Sequence, residues 1–552
     1  MVRATRQAEL VVGPLLRWVG DSEATVWVES DAACEVEVLG SRARTFAVEG
    51  HHYALVTVTG LPRGASTPYE VRLDGRVRWP PPDGGFPPSV IRTLEDGAPL
   101  RLAFGSCRVA VPHEPPHTLS KDDDPRGKER DALHAMALRM MREPAERRPD
   151  CLILLGDQVY ADEGSPRARE FFQGRRDTGR PPGLEAADFE EYTRLYWESW
   201  RDPALRWLLS TVPSAVIFDD HEVHDDWNTS QAWLDEIRRQ TWWEERIVGA
   251  LVSYWIYQHL GNLSPSQLAE DGVWSRVRET DDAGPLLRSL ARRWARTTDG
   301  SQWSYSRDFG RTRLLMIDSR GGRILKEGSR RMVDAEEWRW LDEQAHGDVD
   351  HLLIGTSLPV FLAPGMQRFE SWNEAVCGGA WGAAAARVGE RIRRAIDLEH
   401  WGAFRASFED LVELVRAVGA GERGGPPATI GILSGDVHHA YLADVAYRAR
   451  DGVVSRVYQA VCSPVRNPLD AWERRVVRFG ASRAGSVIGS ILAAAASVPP
   501  PSVRWRLAHE ALFDNQIATL ELDGRRSRLR IERVGADGDA PTLTTSLETR
   551  LS

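Results

Sequence analysis

At 552 residues the chain is longer than one ordinary hydrophobic core supports, so two domains are expected. Its composition, 42% hydrophobic and 27% charged, is that of a soluble globular protein. A formal net charge of -10 argues against a surface that coats nucleic acid; an anionic substrate stays open, because bound metal ions reverse the local field. Basic residues are almost all arginine. Lysine occurs only at Lys121, Lys128 and Lys326, which reads as a coding bias and not as a function. The five cysteines, Cys34, Cys107, Cys151, Cys377 and Cys462, are far apart, odd in number and form no CxxC pair. A disulfide framework is therefore not expected, and a reducing compartment is. The opening MVRATRQAELVVG has no apolar leader core, and the run from Ala484 to Val498 falls short of the ~20 residues of a spanning helix. No membrane span is expected, and the expected location is cytoplasmic.

Residues 9–93 read as β structure. ELVVGPLLRWV, ATVWVES, CEVEVL, RTFAV, YALVTVTG and PYEVRLDGRVRW are short β-rich runs between Gly, Asp and Pro turns, a spacing that suggests a small antiparallel sandwich. Tyr69 stands where such sandwiches carry a corner tyrosine, and the segment resembles a fibronectin type III strand pair. The expected role of this domain, residues 1–95, is to pack on its neighbour, since its loops hold no ligand-like cluster. WPPPDGGFPPS (79–89) is the natural linker. From 98 to 552 the pattern changes: LRLAFGS, CLILLGD, SAVIFDD, RLLMID, LLIGTS and TIGILSGD alternate with amphipathic helical stretches. Continuous apolar runs mark strands buried on both faces, hence an α/β domain. Long insertions at 161–210, 228–300 and 361–425, rich in tryptophan such as Trp197, Trp200, Trp207, Trp242 and Trp243, are expected to form a lid over the substrate. NQIATLEL and SRLRIERV, joined by DGRR, form an expected two-strand C-terminal extension.

Nearly every apolar strand ends in metal-ligand residue types. FGSC ends at Cys107 and Arg108; CLILLGDQVYAD delivers Asp157 and Tyr160, with Asp162 beyond; AVIFDDHE delivers Asp219, Asp220, His221 and Glu222; IGILSGDVHH delivers Asp436, His438 and His439. Ligands of open α/β sheets bind beyond the carboxyl ends of strands, so these clusters should converge. A lone Gly-Asp is usually a turn, and a lone cysteine usually a small buried side chain. Four consecutive ionisable residues directly after AVIF are costly to bury without partners. Phosphoester hydrolysis uses such a set, because two metal ions activate water and neutralise the phosphoryl oxygens.

GDQVY, DDHE and SGDVHH, in this order, together with FGSCR, IDSR at 317–320 and the preceding sandwich, resemble the alkaline phosphatase D branch of the calcineurin-like metallophosphoesterase superfamily. The resemblance implies an α/β/β/α layered core and a dinuclear site. It implies that Asp157 bridges two metals and that Tyr160 and Cys107 hold a ferric-type ion. Asp220, Asp436 and His438 complete the coordination, and His221 assists the leaving group. Asp220 stands for the usual asparagine and Asp436 for a histidine, while Thr356 and Ser357 lie where a further histidine ligand is expected. An oxygen-rich second position favours Ca2+, Mn2+ or Mg2+ over Zn2+, and phenolate with thiolate favours Fe3+ at the first. Arg108 and Arg320 are the expected phosphate contacts, each with a structural ion pair as its alternative.

The expected activity is hydrolysis of a phosphomonoester or phosphodiester, small or polymeric, by a metal-bound hydroxide. The alternative is a non-catalytic partner-binding protein with a degenerate metal site, supported by the absent histidine.

Overall fold

The computed structural model describes residues 7–82, 84–298, 302–537 and 540–552; the first six residues of the opening segment, Asp83 of the linker and the end of the second insertion lie outside them. The β-rich N-terminal region forms two four-stranded antiparallel sheets. One runs Leu10–Val19, Ala24–Ser30, His51–Val58, Phe46–Val48; the other runs Ser41–Arg44, Glu35–Val38, Val71–Leu73, Arg76–Trp79. Glu35–Val38 shows the period of two of a one-sided strand, with Val36 and Val38 buried. Ala24–Ser30 is buried along its whole length because a second element covers its other face. That cover is the helix Trp243–Tyr257, whose Tyr257 ring lies 5.2 Å from Trp27.

Polar side chains fix this contact. Buried Arg17 donates to the carbonyls of Tyr257 and Gln258 at 2.6 and 2.7 Å. The Tyr69 hydroxyl donates to Ser210 O, 2.6 Å away in the helix Pro203–Thr211, so this tyrosine ties the sheets to the neighbouring domain instead of closing a corner of its own. Trp207, fully buried, donates to Pro87 O. The tryptophan-rich insertions therefore differ from the lid expected of them: Trp200, Trp207 and Trp243 are buried in a core shared with the N-terminal sheets. Their large rings supply the apolar area that holds the two domains together.

The larger region carries two mixed sheets. The first is ordered Ser214–Ile217, Cys151–Leu155, Leu100–Gly105, Gln516–Asp523, Arg526–Asp537, Ala540–Arg550. Its first three strands are parallel and the rest antiparallel. The C-terminal extension thus has three strands, not two. Ala540–Arg550, with four threonines among its eleven residues and lying at the sheet edge, lacks the apolar run that marks the others. The second sheet is ordered Tyr305–Phe309, Thr312–Ile317, His351–Thr356, Thr429–Ser434, Arg456–Val461, Tyr441–Ala446, Arg504–Leu507. Cys151–Leu155, His351–Thr356 and Thr429–Ser434 are buried at every residue, as strands covered on both faces must be. A small separate core joins helices Pro364–Cys377, Gly382–Ala395 and Arg483–Ala495 through Trp372, Val376 and Ala493. Among the described residues no helix is long and apolar enough to cross a membrane.

His51 of the N-terminal region lies between Glu29 Oε1, 2.9 Å from Nδ1, and Glu190 Oε2, 2.8 Å from Nε2. Burial alone would lower its pKa, but the two carboxylates outweigh it and raise the value to about 9. A raised folded pKa gives stability that is complete below the unfolded value near 6.5 and is lost as pH climbs through about 9. Denaturant unfolding between pH 6 and pH 10 is expected to show the wild type losing up to about 3 kcal/mol more than His51→Gln. Parallel pH curves for the two proteins would refute the latch.

Candidate metal centre

The site assembles where strands of the two sheets end, and its backbone is held in an unusual shape. Cys107, Asp157, Asp436 and His438 all have positive φ, at 59°, 52°, 65° and 50°. Non-glycine residues rarely adopt this region, and each such residue costs roughly 1–3 kcal/mol unless its surroundings over-determine it. The surroundings do. A Cβ on Gly156 would lie 2.6 Å from Asp219 Cβ, and one on Gly435 would lie 2.0 Å from Ser106 Oγ, so the strand ends abut with no space for side chains. The Asp436 amide donates to Ser106 Oγ at 3.0 Å, joining the first and the last of the clustered loops.

Four groups of potential ligand atoms at this site come within 4.8 Å of one another: Cys107, Asp157 and His438; Asp157, Asp220 and His221; Asp219, Asp220 and Asp436; and Asp162, His221 and Asp225. Asp157 is common to the first two. The Tyr160 hydroxyl is 3.4 Å from Asp157 Oδ2 and accepts from Asn467 Nδ2 at 3.2 Å. All six residues expected as metal ligands are thus brought to one place.

The electrostatics of the protein alone are unfavourable. Burial, then crowding by Asp220, Glu222 and Asp436, drives the Asp157 carboxyl well above the ordinary carboxylate range, although His221 opposes the shift. Burial and the Asp157 carboxylate raise Cys107 and Tyr160 well above their usual values. Burial lowers His438 to about 3, which leaves the neutral ring a metal requires. Asp157 Oδ1 and Asp219 Oδ2 are buried with no hydrogen-bond donor. Orphaned carboxylate oxygens beside a thiol, a phenol and a neutral imidazole fit bound cations, whose charge would displace the thiol and phenol protons.

Two residues hold this crowd. Glu222 accepts from the amides of Asp157, Gln158 and Asp219 at 3.0, 2.6 and 2.8 Å, pinning the loops after Cys151–Leu155 and Ser214–Ile217 to each other. Arg320, fully buried, pairs with Asp219, with Glu399 at 2.7 Å and with Asp220 at 3.3 Å. Its loop is shaped by Asp318, which accepts from the amides of Arg320, Gly321 and Gly322. Arg320 is therefore the internal counter-charge of the acidic cluster, and its expected role as a phosphate contact is replaced by a structural one. Arg108 differs in the same way: it pairs with buried Asp131 at 2.7 Å and donates to Ser199 O at 2.8 Å.

A cavity of about 480 Å³ opens on the cluster, with Asp220, His221, Asp436 and His438 in its wall. No tryptophan lines it among the described residues; the insertion 361–425 contributes Met366, Glu370 and His400 instead. His221 Nδ1 is 2.9 Å from Asp162 Oδ2, and its Nε2 lies 4.0 Å from Asp225 Oδ1, a carboxylate that also lines the cavity. Burial would lower this imidazole, but Asp162, Asp220 and Asp157 outweigh it and raise it well above its usual range.

Sequence reasoning missed His400, whose Nε2 is 3.1 Å from Asp436 Oδ2 and whose Nδ1 is 2.7 Å from Glu370. It lies in an insertion with no motif around it, and only the fold brings it to the rim. It also missed Lys121 and Lys128, which line the cavity; Lys128 Nζ bonds Glu163 and Asn467 at 3.0 Å each. Here a signal existed: two of only three lysines in an arginine-dominated chain border the site. A separate group, His113, His134 and Asp202, does not suit a metal. His113 Nδ1 accepts from Arg466, so its proton sits on Nε2, the atom facing Asp202.

With this geometry in place, the comparisons with known proteins are informative. The family of PhoD-like phosphatases matches residues 132–486, and a family described only as a domain of unknown function (DUF7800) matches residues 7–91. A solved structure, described as that of PhoD, aligns over 100% of this chain and 94% of its own with a TM-score of 0.60 at 13% identity. No curated protein matches the sequence. The fold and the site define a metal-dependent phosphoesterase. The chain belongs to the PhoD-like phosphatase family, the alkaline phosphatase D branch, and is a hydrolase of phosphoric ester bonds.

Removing one partner of a buried charge cluster costs about 3–5 kcal/mol, because the others are left uncompensated. Arg320→Met is expected to lower the unfolding free energy by about that amount in denaturant titration. A loss under about 1 kcal/mol would mean that the carboxylates do not depend on this cation.

Proposed function

We propose that the protein hydrolyses phosphomonoesters or phosphodiesters at a dinuclear metal site in which Asp157 bridges the ions. The observation that carries this reading is the place of Asp157: it is shared by two groups of ligand atoms and keeps a buried oxygen without a donor. Cys107, Tyr160 and His438 would hold the ferric-type ion; Asp220 and Asp436 would hold Ca2+, or Mn2+, Mg2+ or Zn2+ in its stead. The bound cations would supply an activated water and neutralise charge on the phosphoryl oxygens.

The side chains do the remaining work. As the water oxygen bonds to phosphorus, giving up a proton to solvent, the ester P–O bond breaks and His221 gives the Nε2 proton to the departing oxygen. Asp162, on Nδ1, fixes the ring for that transfer. Lys121 and Lys128 draw the anionic ester inward, a role that matters because, histidines aside, the other charged side chains lining the cavity are all acidic. We read the two large sheets as the inner layers of an α/β/β/α core spanning 98–552, and residues 1–95 as a fibronectin type III-like sandwich whose role is packing. The non-catalytic alternative rests on the absent histidine, and His400 brings an imidazole to within 3.1 Å of Asp436.

Metal quantification on purified protein, with turnover of p-nitrophenyl phosphate and bis-p-nitrophenyl phosphate, tests the proposal. Asp157→Asn is expected to lose metal and activity together, by more than about 100-fold, the upper range for losing even an outer support of a metal ligand. Tyr160→Phe is expected to abolish visible ferric-phenolate absorption. Full turnover by Asp157→Asn at unchanged metal content would overturn the bridge.

A further inference from the structure

The helix Arg483–Ala495 is built inside out. It turns Gly485, Gly489 and Ala493 to the protein and leaves Val487, Ile488 and Ile491 at 58%, 47% and 62% exposure. The inward glycines are needed there: a Cβ on Gly489 would lie 2.6 Å from Gly365 O, so this face packs backbone against backbone. A helix serving only its own fold places large apolar residues inward. The preceding helix, Ala471–Ala481, behaves alike, exposing Trp472, Val476 and Phe479 at 59%, 47% and 54% on one face of spacing four and three. These six side chains, within twenty residues of chain, form an apolar surface of the kind that marks an interaction site.

Charge says what covers it. Residues 471–503 contain four arginines, Arg474, Arg475, Arg478 and Arg483, against the single acid Glu473, in a chain whose formal charge is -10. Arg475 and Arg483 are exposed beside the apolar ridge. A second copy meeting this surface about a two-fold axis would set arginines against arginines. A bilayer of anionic lipid offers acyl chains to the ridge and phosphates to the guanidinium groups. The helix Arg483–Ala495 has thirteen residues and is followed by Pro499, Pro500 and Pro501, so it suits lying in an interface and not crossing it.

We propose that the helical hairpin 471–495 docks the protein on anionic lipid bilayers. Val476 belongs both to this ridge and to the wall of the cavity that holds His438, so docking would bring the cavity mouth to the lipid surface.

Co-sedimentation of the full-length, metal-loaded protein tests this, with vesicles of phosphatidylcholine alone and of phosphatidylcholine with equimolar phosphatidylglycerol. The wild type is expected to sediment with the mixed vesicles and to be released by salt. The triple variant Val487→Ser, Ile488→Ser, Ile491→Ser should bind at least about tenfold more weakly, since each side chain contributes about 1.5 kcal/mol or more when buried. The double variant Arg475→Glu, Arg483→Glu should lose the preference for anionic vesicles, at about 1 kcal/mol per basic residue near the surface. Both variants should keep wild-type turnover of bis-p-nitrophenyl phosphate in free solution, which separates this readout from the reading of the site. A wild type that stays in the supernatant with both vesicles would overturn the proposal. So would a wild-type dimer, in sedimentation velocity, that the triple variant converts to monomer.

Discussion

The constraint on which the structure turns is the packing of mutually repelling carboxylates into a space that excludes water. Asp219, Asp220 and Glu399 pair with the fixed cation Arg320, and Asp157 and Glu222 are buried beside them with no such partner of their own. Such a cluster is stable only if its negative charge is answered, and the protein answers part of it from within and leaves the rest for bound ions. That division explains why the guanidinium is withdrawn from the cavity. A residue needed to hold the site together is not free to meet substrate.

Strained loops and the charged cluster support one another. The positive-φ conformations of Cys107, Asp157, Asp436 and His438 aim ligand atoms from three strands at a common point, and the glycines beside them let those strands approach. Glu222 converts the approach into a joint by collecting three amides on one carboxylate. The candidate ligand atoms are thus held in place by the protein alone, an arrangement that would lower the reorganisation required to bind a cation.

What could be read in the sequence is what is local. Apolar strands that end in Gly-Asp-Gln, Asp-Asp-His-Glu and Gly-Asp-Val-His announce both the α/β sheet and the gathering of candidate ligands at its edge, because strand burial and strand-end loops are encoded within a few residues. Partnership is not local. Arg320 faces Asp219 across a hundred residues of chain, and His400 reaches Asp436 from an insertion with its own helices. Nothing near Arg320 in sequence distinguishes a phosphate ligand from an internal counter-ion. The tryptophans misled for a related reason: their abundance says that a large apolar area must be covered, while only the three-dimensional arrangement says whether substrate or another domain covers it. Ala540–Arg550 escaped because this edge strand holds only two large apolar residues, Leu543 and Leu547, too few to mark a period of two.

The order of strands in the first sheet bears on how the chain is made. Leu100–Gly105, which carries Cys107 at its end, has Gln516–Asp523 as one neighbour, so its edge waits for roughly 400 further residues to leave the ribosome. At ~5–20 residues per second that is roughly 20–80 s during which one edge of an apolar strand stands unpaired on a nascent chain. The N-terminal sheets wait for the helix Trp243–Tyr257 to cover them, and the first large sheet closes only once Gln516–Asp523 has been made, so open strand edges of the kind chaperones shield persist through much of synthesis.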